Sequence, residues 1–126
     1  MKKFKTEISS INSQGSAKHG MKHWLFQRFT GLLMLFQTLW LVYFIYDIKD
    51  HDLIDALRIL NAPYNAISMM LLLIAMFAHA ALGMQVVLED YIENVFIRNM
   101  LIIIVKIFSF VTIISGIVSM LYVMML

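Results

Sequence analysis

The chain has 126 residues, of which 61% are hydrophobic and only 14% charged, and its mean hydropathy is +0.80. A soluble domain of this length carries far more surface charge, so the composition excludes a soluble globule, a disordered tail and a disulfide-stapled chain, and leaves a small integral membrane protein. There are no cysteines, which removes thiolate ligation of zinc or iron–sulfur clusters and any redox disulfide.

The formal net charge of +2 hides a strong asymmetry. Residues 1–28 carry Lys2, Lys3, Lys5, Lys18, Lys22 and Arg28 against Glu7 alone. This segment is too long and polar for a signal-peptide n-region, and no small-residue cleavage site follows the first apolar run. Loops rich in Lys and Arg stay on the cytoplasmic side, so residues 1–26 are expected to be a cytoplasmic N-terminal segment. The lysines are read as a topology signal rather than a nucleic-acid contact.

Phe29 to Tyr46 is uncharged, and a transmembrane helix is expected over about 27–46. A polar break follows with Asp47, Lys49, Asp50, Asp52, Asp55 and Arg58. Ile59 to Leu88 is a second uncharged run, giving a helix over about 64–89. Pro63, the lone proline, suits the first turn of that helix, where its missing N–H costs nothing. Glu89, Asp90, Glu93 and Arg98 form the second break, and beyond it Lys106 is the only charge, giving a helix over about 98–125. A bilayer core of about 30 Å needs roughly 20 apolar helical residues, and none of the runs alternates as a barrel strand would. The expected fold is an all-α integral membrane protein with three transmembrane helices in one domain, residues 1–126. Both loops are net acidic, and alternation from a cytoplasmic N-terminus leaves the C-terminus outside. A bacterial inner membrane is the simplest home for such a chain.

His79 stands inside the second uncharged run, near membrane mid-depth. An ionisable residue there is costly to place and is a functional-site candidate by default. Haem ligation, proton relay and an interhelical hydrogen bond all remain open from the residues alone. Ala75 and Gly83 lie one turn either side on the same face. They leave room for a flat macrocycle, or equally form a small-residue helix contact. His19, His23 and His51 lie outside the expected spans. A haem with two axial ligands would therefore need its second from a partner chain.

Asp90 lies eleven residues after His79, close to three turns, and Tyr91 is adjacent. Arg28, with His23, Trp24 and Gln27 just before it, begins helix 1 at that same expected inner end. Together they make a plausible polar mouth for an amphipathic ligand such as a quinone, or else an ordinary interfacial anchor belt. The eleven methionines show no ligand spacing and are read as packing residues. Lys106 is read as an anchor that snorkels to the inner surface.

Two stretches carry a family resemblance. Gly15-Ser16-Ala17-Lys18, Gly20, His23-Trp24, Gln27-Arg28 and Thr30 form the first, and the run from His79 to Ile92, HAALGMQVVLEDYI, forms the second. With the three helices, they resemble the small hydrophobic membrane-anchor subunit of bacterial succinate dehydrogenase. The resemblance implies a four-subunit enzyme of respiratory complex II, in the tricarboxylic acid cycle and aerobic electron transport. A flavoprotein and an iron–sulfur subunit would lie beside two membrane-anchor chains, which share one haem b and build the ubiquinone site. By resemblance, His79 is the axial ligand of the haem iron, with its partner histidine on the second membrane-anchor chain. Tyr91 would hydrogen-bond a ubiquinone carbonyl, Asp90 would sit near the proton supply, and Arg28 would lie near the haem propionates or the quinone pocket. Trp24 and Gln27 belong to the leading motif. Catalysis would belong to the assembly, since flavin and iron–sulfur chemistry lie on other chains. A fumarate reductase anchor, a haem-free assembly subunit and a small transporter are the alternatives; one central histidine without an embedded carboxylate makes a poor ion-coupled carrier.

Overall fold

The computed structural model describes the backbone of residues 2–125 and the side chains of residues 20–125. Four helices follow in chain order: α1 (Lys2–Ile48), α2 (Leu53–Asn61), α3 (Pro63–Tyr91) and α4 (Val95–Met125). Among the described residues, three stretches are long and apolar enough to cross a membrane: Gly20–Ile48, Pro63–Tyr91 and Val95–Met125. At 1.5 Å per residue, a 29-residue helix is about 44 Å long. That exceeds a hydrocarbon core of about 30 Å and reaches into the head-group layers.

The helix boundaries extend past the sequence expectation at both breaks, for local reasons. α1 runs on to Ile48, two residues past the expected end near 46, and back through the lysine-rich segment to Lys2. The break after α1 is not all loop. Asp52 caps α2, its carboxylate accepting the Asp55 N–H at 2.9 Å. Asp55 sits in the first turn and Arg58 in the last, where each charge suits the helix dipole. Ala62 precedes Pro63 and is extended, with ψ 131°. The proline ring disfavours helical backbone at the preceding residue, so α2 stops and α3 starts with Pro63 in its first turn. Asn94 caps α4, its side-chain oxygen accepting from Phe96 N at 3.0 Å and Ile97 N at 3.2 Å. That cap starts the helix at Val95, three residues before the expected boundary near 98.

α3 is the central helix. It packs against α1 on one flank and α4 on another, while α2 rests on α3 and α4. The buried positions of α3 are Asn65, Ala66, Ala75 and Ala81. The large apolar side chains, such as Phe36, Leu39, Ile103, Ile107 and Phe110, point outward. Water-soluble folds do the opposite. Lipid is as apolar as leucine, so nothing drives large side chains inward, and small residues that let backbones approach hold the helices together.

The Pro63 end is fastened by two asparagines. Asn65, 2% exposed, donates to the Ile59 carbonyl at 2.9 Å and accepts from Trp40 Nε1 at 3.2 Å. It thereby joins α1, α2 and α3 and satisfies a carbonyl near the end of α2. Asn61 donates to the Val123 carbonyl of α4 at 3.3 Å. Trp40 also stacks on Phe44 with ring centroids 5.3 Å apart.

Candidate functional site

His79 lies on the flank of α3 that meets α1. Its Nδ1 is 3.0 Å from the Thr30 hydroxyl oxygen. Thr30 is 5% exposed, and the same hydroxyl lies 2.9 Å from the Phe26 carbonyl oxygen and 3.1 Å from that of Gln27. The next residue, Gly31, leaves the imidazole room: a Cβ there would stand 3.3 Å from His79 Cε1. One turn along α3, Gly83 similarly faces α1, with a Cβ position 3.4 Å from Gln27 Nε2. Gln27, Thr30 and Gly31 are spaced as i, i+3 and i+4, so one stripe of α1 meets the histidine face of α3.

Beside this contact runs an open groove of about 690 Å³, lined by Gln27, Arg28, Gly31, Leu32, Leu35 and His79. Its volume lies within the range of cofactor and ligand sites. Three features suit it to an amphipathic group with an anionic end. The walls formed by Leu32 and Leu35 are apolar. Arg28 supplies a fixed positive charge at one end, its guanidinium 5.3 Å from the Trp24 ring centroid. His79 Nε2 makes no hydrogen bond among the described residues, and Gln27 Oε1 is buried without a partner. Among the described residues, no group of three or more His, Cys, Asp or Glu side chains forms a metal cluster, so any metal held here would rest on single ligands.

Asp90 and Tyr91 close α3. Both face outward, and Tyr91 is 83% exposed. Among the described residues, neither bonds to Arg28, and neither lines the His79 groove. The expected polar mouth is thus divided: Arg28 and Gln27 go with His79, and Tyr91 stands apart at the helix end. His23 goes elsewhere again. It lines a second recess of about 480 Å³ with Gly20, Leu82, Gln85, Glu89 and Lys106. There Gln85 donates to Glu89 at 2.7 Å and His23 Nε2 is buried without a partner. Lys106 therefore faces a polar recess shared by three helices.

Two residues at the site are not evident from the sequence. Thr30 stands there only as a motif letter, and Gly31 not at all. The available signal is their placement: a hydroxyl and a glycine side by side, on the α1 stripe opposite an intramembrane histidine.

The fold and groove define a class: a multi-pass helical membrane protein with a histidine-bearing site between two spans. Comparison with known proteins then gives the particular family. Residues 2–124 match the family model described as "Succinate dehydrogenase/Fumarate reductase transmembrane subunit". The chain belongs to this family. It is 42% identical over 120 residues to the succinate dehydrogenase hydrophobic membrane anchor subunit of Rickettsia conorii, covering 94% of this chain and 95% of that one. It is 44% identical over 119 residues to the protein of the same name from Rickettsia bellii, again covering 94% and 95%. No solved structure gives a significant match.

Proposed function

We propose that this chain is the membrane anchor of a succinate:ubiquinone oxidoreductase, holding one side of a haem b through His79 and contributing Tyr91 and Asp90 to the ubiquinone site. Family membership supports the anchor role. The names of the relatives favour succinate oxidation over the reverse reaction. The observation that carries the haem assignment is the groove itself, which one imidazole, held at Nδ1 by Thr30, lines together with apolar Leu32 and Leu35 and the cationic Arg28.

The residues present fit a haem. His79 would hold the haem iron from this chain, together with a histidine of the second anchor chain. Arg28 would meet the propionates, and Leu32 and Leu35 would pack on the ring edge. When bound, the haem supplies a one-electron store near the iron–sulfur subunit and the quinone.

Reduction of the quinone takes two electrons and two protons. The Tyr91 hydroxyl donates a hydrogen bond to a carbonyl oxygen as charge builds on it, and Asp90 beside it holds a proton at the water-facing end of α3. In this reading the excess of lysine places the N-terminus and the Asp90 end on the cytoplasmic side of a bacterial inner membrane. The flavoprotein and iron–sulfur subunits dock there, and Tyr91 has its outward exposure for the quinone and those partners.

The test is His79→Ala in the assembled complex. Haem content per flavin is expected to fall to background while the flavoprotein and iron–sulfur subunits stay bound. Full haem retention would remove the ligand assignment. For the quinone site, Tyr91→Phe is expected to lower succinate–ubiquinone turnover by about 100-fold. Succinate oxidation by a soluble dye, which bypasses the membrane site, should stay unchanged. Equal turnover with ubiquinone in the variant and the parent would remove Tyr91 from the site.

A further inference from the structure

We infer that Thr30 is a positioning residue that fixes the tautomer and the ring angle of His79, so that the lone pair of Nε2 is the one that faces the groove. The inference deepens the haem-ligand reading of His79 and rests on it.

A single proton decides the tautomer. The Thr30 hydroxyl has one hydrogen and two lone pairs. Its oxygen lies 2.9 Å from the Phe26 carbonyl oxygen and 3.1 Å from the Gln27 carbonyl oxygen, both on its own helix. The one hydrogen, directed between the two carbonyls as a shared bond, makes both contacts attractive. The hydroxyl hydrogen therefore points back to the α1 backbone, the usual habit of a threonine inside a helix. If it pointed to His79 instead, lone pairs of Thr30 and the carbonyls would face each other at close range in a site where Thr30 is only 5% exposed.

With its proton committed, the Thr30 oxygen can only accept. The group 3.0 Å away is His79 Nδ1, so Nδ1 must carry the hydrogen and donate it. A neutral imidazole protonated at Nδ1 has its free lone pair on Nε2. The other tautomer would turn an N–H into the groove, where it cannot bind a metal ion. Gly31 holds the ring from a second direction, since the imidazole lies against α1 where a Cβ would come within 3.3 Å of Cε1.

The hydrogen bond has an electronic consequence. Donation from Nδ1–H makes Nε2 a stronger donor, and the onward bond from Thr30 to the carbonyl polarises the chain in the same sense. A stronger donor favours the ferric state and lowers the reduction potential of the iron it holds.

Thr30→Val keeps the shape and removes the hydroxyl, whereas Thr30→Ser keeps the hydroxyl. Both are made in the assembled four-subunit complex and read by haem per flavin, by optical redox titration and by the ferric electron paramagnetic resonance spectrum. Thr30→Val is expected to weaken haem retention by about tenfold, to move the midpoint of the remaining haem to more positive potential and to shift the ferric g-values. Thr30→Ser is expected to match the parent in all three. Parental haem content, midpoint and g-values in Thr30→Val would overturn the inference, and so would a Thr30→Ser complex shifted as far as Thr30→Val. Should Thr30→Val fail to assemble, Thr30→Ala, which adds no bulk, decides in the same way. The His79→Ala complex keeps the two readings separate. Haem retained there defeats the ligand assignment itself; haem lost there, with Thr30→Val unshifted, defeats only the role of Thr30.

Discussion

The two flanks of α3 are built on opposite rules. Toward α4 the contact is apolar and close. Met69, Met70, Leu73, Gly116, Ile117 and Met120 leave a recess of only about 20 Å³ between them. Gly116 lets α4 approach so near that an added Cβ would meet Leu73 Cδ1 at 2.6 Å. Toward α1 the contact is polar and partly open. His79 and Thr30 share a hydrogen bond beside a groove of about 690 Å³. One helix thus carries a packed seam and an open, partly polar face. The difference teaches where each kind of change is tolerated: the seam responds to volume, and the open face responds to chemistry.

Glycine-to-larger changes on the two flanks break this comparison most sharply. Gly31→Leu would drive a side chain into the groove and against the His79 ring. Haem content of the complex is expected to fall to background, and its thermal midpoint to drop mainly by the stabilisation that the bound haem would have supplied. Gly116→Val should spare the haem. The seam has no space, Leu73 must shift, and overpacking of this kind costs about 3 kcal/mol. A lowered thermal midpoint of the detergent-solubilised complex with an unchanged haem spectrum is the expected result. If Gly116→Val lost haem as well, the flanks would be one coupled core rather than two separate surfaces.

A smaller effect sharpens the contrast at the Pro63 end. Asn65→Ala would leave the Trp40 indole N–H without its partner and take one of two donors from the Ile59 carbonyl, which keeps the Ala62 N–H. Unsatisfied polar groups at a buried position cost about 2 kcal/mol. The loss should appear as a lower thermal midpoint, and the haem spectrum should stay the same, because this fastening lies about fourteen residues, or roughly 21 Å along α3, from His79.

Much of the molecule was legible in the sequence because the bilayer simplifies the problem. The lengths of the uncharged runs dictate the number of spans, and every backbone polar group in a span must be satisfied within it, which leaves helices. His79 stood out for the same reason: an imidazole in an apolar run of that length is costly unless something uses it. The local caps were also written in the chain, although charge alone passes over them. Asp52 and Asn94 start α2 and α4 by accepting backbone N–H groups, and Pro63 separates α2 from α3 by constraining Ala62.

Other features depended on which faces meet. Arg28, Asp90 and Tyr91 share one end of the molecule by sequence count, yet Arg28 turns to the His79 groove and Tyr91 turns outward. Helical spacing fixes the direction of a side chain relative to its own helix, but not the rotation of that helix against its neighbours. Small residues could pack on several faces of α3. The choice of Ala66, Ala75 and Ala81 as the buried ones was made by how the three spans fit together.

By itself, then, the sequence determined an all-helical three-span membrane chain, its intramembrane histidine and its family motifs, because hydropathy, charge and capping are local properties read along one dimension. Only the tertiary structure decided that Thr30 and Gly31 attend His79, that Lys106 joins His23 and Glu89 in one recess, and that α3 presents a closed seam on one side and an open groove on the other. Those are contacts between residues tens of positions apart, and they follow from helix rotation and close packing, which no single stretch of sequence encodes.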